Sequence, residues 1–170
     1  MAEQKTGKIT LLVIPNNNGE KSLFPYLKKL DGKIAYVSVN KDYHTLVKLF
    51  QKNKLNLDNF YFIDCISETI TRPKDERNCA YISSPKALGE LFSLIHDFID
   101  VSFPYIVIDS LSNLFVYHKP DKLINFAEQI IAKTKGNVNV VLVLTIAKKD
   151  KETKLYQSIK DKADEVIEFK

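Results

Sequence analysis

Cysteine is scarce in this sequence: Cys65 and Cys79 are the only two. Neither has a CxxC partner or metal-ligand spacing, which argues against a zinc ribbon or a disulfide scaffold and for free thiols in a reducing compartment. No apolar run approaches the ~20 residues a helix needs to cross a bilayer, and no signal-peptide pattern opens the chain. The expectation is a cytoplasmic protein with no membrane partner. Internal repeats and low-complexity tracts are also missing. Charge of one sign is in modest excess, +4 overall, which permits contact with nucleic acid without arguing for it. What is present is ordinary globular composition, 45% hydrophobic and 27% charged over 170 residues, enough for one domain with a sizeable core. Residues 1–7 read as a polar tail and residues 8–170 as a single domain.

Strand and helix patterns alternate along that domain. Lys8 to Ile14 is an apolar strand, stopped by Pro15 and the turn cluster Asn16-Asn17-Asn18-Gly19. Ser22 to Leu30 reads as a short helix, with Pro25 tolerable only if the helix starts near Ser22. Lys33 to Val39 is a second strand, and Asp42 caps a helix running to about Lys52. Phe60 to Ile63 is a third strand, ended by Asp64. Ser67 to Asn78 is the most polar stretch and predicts an exposed, mobile loop. A short strand at Ala80 to Ile82 precedes a helix opened by Ser84 and Pro85. Its Leu88, Leu91, Phe92, Ile95, Phe98 and Ile99 share one face. A further helix spans Asp121 to about Lys135 and stops at Gly136. Asn139 to Ile146 is the most hydrophobic strand. A weak helix to about Ala163 and a strand from Glu165 to Phe169 close the chain. Such alternation predicts a three-layer α/β/α sandwich with a parallel or mostly parallel sheet.

The rest is organised around Phe103 to Phe115. Tyr105 to Ile108 is an unbroken apolar run, as suits a strand buried on both faces. Asp109 ends it, followed by Ser110, Leu111 and Ser112. A carboxylate at the end of a buried strand needs a partner, and in open α/β sheets the strands' carboxyl ends form the ligand crevice. The alternative is that Asp109 caps the following turn.

Taken in order, the turn ending in Lys21-Ser22, the strand YVSV, the strand end FID, YIVIDSLS, the strand end at Thr145 and the closing ADEVIEF resemble the RecA-like P-loop ATPases. The KaiC branch is the most similar. The resemblance covers nearly the whole chain from Lys8 and implies a RecA-like P-loop NTPase core binding ATP and magnesium. Against the phosphate-loop pattern G-x-x-x-x-G-K-[ST], the chain offers Pro15 to Ser22, P-N-N-N-G-E-K-S. The resemblance assigns Asn18, Gly19, Lys21 and Ser22 to nucleotide binding, and Asp109 with Ser110 to the metal. Two glycines of the pattern are replaced, by Pro15 and Glu20, and a carboxylate at Glu20 would repel a polyphosphate. The alternative is a polar turn with an incidental Lys-Ser.

In the family the second strand leads to a glutamate that polarises water. Here YVSV is followed by Asn40, Lys41 and Asp42, none of them a general base in the expected place; no catalytic residue is assigned. The implied function is a degenerate ATPase domain acting as a regulatory or scaffolding binding protein, with ATP and magnesium bound weakly or not at all. Two alternatives stand beside it. One is a slow Mg-ATPase using Lys21, Ser22 and Asp109. The other is a recombinase-like accessory protein touching DNA through Lys148, Lys149, Lys151 and Lys154. The partner expected first is a second copy or a related subunit, met by the loop holding Tyr117, His118 and Pro120 beside Phe115 and Val116.

Overall fold

A computed structural model of the chain describes residues 5–170; residues 1–4, the start of the expected tail, lie outside the described residues. Among the described residues seven strands form one sheet: β1 Lys8–Ile14, β2 Ile34–Ser38, β3 Phe60–Asp64, β4 Cys79–Tyr81, β5 Tyr105–Asp109, β6 Val141–Ala147 and β7 Glu165–Glu168. Their order is β4-β3-β2-β5-β6-β1-β7, and every pairing is parallel. Parallel neighbours need a crossover between them, so the helices are laid on the two faces. These helices are α1 Glu20–Leu27, α2 Tyr43–Lys52, α3 Leu88–Asp100, α4 Leu111–Leu114, α5 Pro120–Lys135 and α6 Lys154–Lys162.

Alternation along the strands divides the core in two. Leu12 and Ile14 of β1, with Ile34, Tyr36, Phe60 and Phe62, meet α1 and α2. Ile9, Leu11 and Val13 face the other way, toward α3, α5 and α6. The first layer is aromatic: Phe50 of α2 lies edge-on to Phe24, Tyr36, Phe60 and Phe62, at centroid distances of 5.1, 5.1, 4.9 and 5.2 Å. With Phe50 fully buried, truncating it to alanine would cost about 3–5 kcal/mol.

Three local features differ from the sequence expectation. First, α1 starts at Glu20 and ends at Leu27, placing Pro25 inside the helix. The missing proline N–H forfeits a second-turn bond, and the helix is correspondingly short. Second, Ser84 and Pro85 form a turn, not a helix start: the Ala87 N–H donates to the Ser84 carbonyl and α3 begins at Leu88. Glu90 reaches back to the Ser83 N–H and hydroxyl at 3.0 and 2.7 Å, closing that helix end in place of a cap serine. Third, the short helix α4 follows β5 directly, which no periodicity announced. Asp42 does cap α2, accepting from the Thr45 N–H at 3.0 Å. Gly7, placed in the tail by sequence, is buried, and its N–H donates to the Lys135 carbonyl at 3.2 Å.

Asp64 explains how the polar stretch after β3 is anchored. Fully buried, it accepts from the Tyr43, Ile66 and Ser67 N–H groups at 2.7, 2.7 and 2.9 Å, and from the Ser67 hydroxyl at 2.5 Å. A buried carboxylate is tolerated when its lone pairs are filled in this way. At the far end of the stretch, the Tyr43 hydroxyl donates to Asn78 Oδ1 at 2.7 Å. Asp64 is a structural acid, and its side chain is fully engaged in holding two turns.

Candidate functional site

The turns leaving β1, β2, β5 and β6 surround a cleft of about 320 Å³ at the carboxyl edge of the sheet. A wider hollow of about 680 Å³ lies at the opposite edge, by Lys33 and Phe103. The cleft is the better candidate because convergent turns and a sunken carboxylate meet there, at the edge where parallel sheets bind ligands.

Asp109 forms its floor. The carboxylate sits at the end of the buried run Ile106–Ile108 and accepts a hydrogen bond from the hydroxyl of Tyr36, a residue 1% exposed on the neighbouring strand β2. Register places Tyr36 opposite Val107, two residues before Asp109, within reach of the longer tyrosine side chain. Thr145 on β6 donates to the Ile108 carbonyl at 3.0 Å, and its hydroxyl lies 3.5 Å from Asp109 Oδ1. Burial pushes the Asp109 carboxyl above the ordinary range, and the Glu20 charge adds to that; Tyr36, Lys41 and Thr145 oppose it. Burial, followed by the Asp109 charge, raises the Tyr36 phenol well above its usual value. Ser110 is buried and caps α4, its hydroxyl accepting from the Asn113 N–H at 3.4 Å. The Asp109–Ser110 peptide bond is cis.

The wall opposite is the β1–α1 turn. Asn18 takes a positive φ of 56°, a conformation asparagine tolerates better than most residues. Gly19 is right-handed, and a Cβ there would come within 3.2 Å of the Ile14 side chain. The Lys21 and Ser22 N–H groups turn back onto the Asn18 and Gly19 carbonyls, both at 3.0 Å. Two donors of a phosphate-type loop are thereby occupied within the loop itself. Asn16 Oδ1 accepts from the Lys149 N–H at 2.7 Å, tying this turn to the one after β6.

Glu20 and Lys41 close the mouth. Lys41 Nζ lies 3.1 Å from Glu20 Oε1, with the side chains 26% and 40% exposed. Each end of the pair is held in place. Glu20 is in the first turn of α1, where the helix dipole favours a carboxylate. Lys41 sits in a turn pinned by the Ser38 hydroxyl, which meets its carbonyl at 2.8 Å and its N–H at 3.1 Å.

Of the residues singled out by sequence, Asn18, Gly19, Asp109 and Ser110 line the cleft. Lys21 points outward on α1 and is exposed; Ser22 is half-buried in the first turn, and neither lines the cleft. Because α1 begins at Glu20, Glu20 is the charged residue of that turn lining the cavity, beside Leu23. Asn16, Asn113 and Lys149 line it as well, with Tyr36 beneath; the sequence marked Asn16 as a turn residue and Lys149 only as part of the basic strip, and it did not mark Asn113 or Tyr36. A phenol hydroxyl in the middle of the buried strand IAYVS is the signal that would have marked Tyr36.

No protein-family model matches this chain, and no curated protein matches it. A solved structure described as a KaiC-like protein from the hyperthermophilic archaeon Pyrococcus horikoshii OT3 superposes with a TM-score of 0.67 at 13% identity, covering 96% of this chain and 72% of that one. The fold is therefore RecA/KaiC-like, an all-parallel sheet in a three-layer α/β/α core. At such low identity the likeness carries the fold and no chemistry.

Proposed function

We propose that this chain is a RecA/KaiC-like domain, formed by residues 8–170, whose nucleotide cleft has lost the means of hydrolysis and which works by binding other proteins. The observation that carries this reading is the Glu20–Lys41 pair, 3.1 Å apart across the cleft mouth. A carboxylate stands there where a nucleotide's phosphates would have to enter. Like charges a few ångströms apart in a partly dry site repel by about 4 kcal/mol at an effective dielectric near 20.

The residues present fit a magnesium nucleotide poorly. Lys21 is directed away from the cleft, and the Lys21 and Ser22 N–H groups are spent on local carbonyls. Asn40 and Lys41, which follow β2, supply no proton acceptor to activate water. Asp109 and Ser110 at the cleft floor favour one second reading, a weak Mg-ATP site without an efficient hydrolytic step. Calorimetry with ATP and magnesium separates the two. The expected dissociation constant is weaker than about 100 μM; low-micromolar binding would overturn the proposal.

As a binding module the chain would meet a second copy or a related subunit. The segment after α4 supports this, since Val116 is 81% exposed and Tyr117 37% exposed next to the half-buried Phe115. Exposed aromatic and branched residues side by side suit an interface. Among the described residues no helix is long and apolar enough to cross a membrane, and a cytoplasmic setting is part of the proposal.

A further inference from the structure

We infer that Glu20 is a tethered anion filling the phosphate side of the cleft, and that the cation of this latent site is Lys41, not Lys21. The site so masked would take a small phosphate-bearing anion. This rests on the reading of the cleft as a disabled nucleotide site and adds which residues disable it and how the disablement is reversed.

The geometry behind it is local and complete. A lysine that serves a bound phosphate must reach the cavity, and Lys21 does not line it. Lys41 does line it, brought there from the turn after β2 and held by both bonds to the Ser38 hydroxyl. Its ammonium already grips an oxyanion, Glu20 Oε1 at 3.1 Å. Carboxylate and phosphate oxygens offer a lysine the same kind of charge-assisted bond. A side chain attached to the site also outcompetes a free ion, because its effective concentration is high. Lys149, exposed and also lining the cleft, adds a second cationic residue, its turn fixed by the Asn16 clamp at 2.7 Å. Facing these cations are two carboxylates, Glu20 and the sunken Asp109. Asp109 is held by Tyr36 and Thr145, whereas Glu20 is 40% exposed and held by Lys41. Glu20 is therefore the anion free to leave, and its removal shifts the local charge balance toward an incoming anion.

Calorimetric titration of the full chain with inorganic pyrophosphate tests this. The wild type is expected to bind it weakly or not at all. Glu20→Gln should bind it about tenfold or more tightly, the effect of removing one nearby like charge. Adding Lys41→Met to Glu20→Gln should abolish the gain, while adding Lys21→Met should leave it. No gain in Glu20→Gln, or a gain lost with Lys21→Met and kept with Lys41→Met, would overturn the inference. Glu20→Gly gives the same comparison if the glutamine variant fails to fold, with pyrophosphate phosphorus resonance broadening as an independent readout. Tight Mg-ATP binding by the wild type would instead overturn the underlying reading, so the two failures are distinct.

Discussion

The Tyr36 hydroxyl donates its hydrogen bond to the Asp109 carboxylate across neighbouring strands, setting a fully covered phenol beneath the one acid on the cleft floor. Desolvation nonetheless dominates there, so folded Asp109 keeps its proton to higher pH than the ordinary aspartate value near ~3.9. Between that value and the raised one, the folded state binds more protons than the unfolded state. Stability should accordingly fall as pH rises through the window and then level off. Asp109→Asn removes the charged penalty. It is expected to be at least as stable as wild type near neutral pH and to flatten the acid side of the urea-unfolding profile. Tyr36→Phe should do the reverse, losing about 1.5–3 kcal/mol at neutral pH. A clear loss of stability in Asp109→Asn would make Asp109 a structural acid like Asp64.

Cys65 and Cys79 are expected to be unreactive. Burial pushes each thiol up to about 12, and the thiolate is the reactive form. They also face opposite layers of the sheet, Cys65 toward α3 and Cys79 toward α2, so the fold does not set them up to pair. Ellman's reagent at mildly alkaline pH should label neither within minutes in the native protein and both in guanidinium. Rapid native labelling of one thiol would mean that its end of the sheet opens locally.

The lysine strip after β6 should not bind DNA at physiological salt. Glu168 on the edge strand β7 pairs with Lys151 at 2.6 Å and with Lys148 at 3.5 Å, neutralising part of the strip. Glu168→Gln should restore its charge. Any DNA binding by that variant should then weaken steeply with salt through counterion release. A clear mobility shift by the wild type at ~0.15 M salt, lost in Lys148→Glu with Lys151→Glu, would favour the DNA-binding alternative.

Association should concentrate at the segment after α4. Sedimentation at tens of micromolar should show a concentration-dependent dimer or a copurifying subunit. Val116→Ser with Tyr117→Ala should weaken it by about tenfold or more, as truncating central apolar contacts does. A strictly monomeric wild type without any partner would leave the binding role unsupported.

The strands were readable because a strand covered on both faces is a mostly unbroken apolar word, as LLVI in β1 and YIVI in β5 are. Helix starts were less so. Ser84 and Pro85 carry the composition of a helix opening, yet the bond from Ala87 to Ser84 makes them a turn and Glu90 supplies the closure. Asp109 stood out as a carboxylate after an apolar run. Its partner Tyr36 did not, since a tyrosine inside YVSV looks like core until its side chain is seen to reach from opposite Val107 to the acid. Glu20 and Lys41 were each conspicuous alone, one as a misplaced negative charge and the other as a cation where a base belongs. That they answer each other depends on two turns meeting in space, which spacing along the chain does not encode.

The position of β1 has a consequence for how the chain is made. It comes first in sequence among the described strands, yet it pairs with β6 from Lys8↔Val141 to Ile14↔Ala147 and with β7 from Thr10↔Glu165 to Val13↔Glu168. During translation this largely apolar segment waits, without these partners, until β6 and β7, residues 141–168, emerge. Such a high-separation pairing slows folding and leaves a sticky intermediate. Until then β1 is a natural client for chaperones that shield exposed hydrophobic segments.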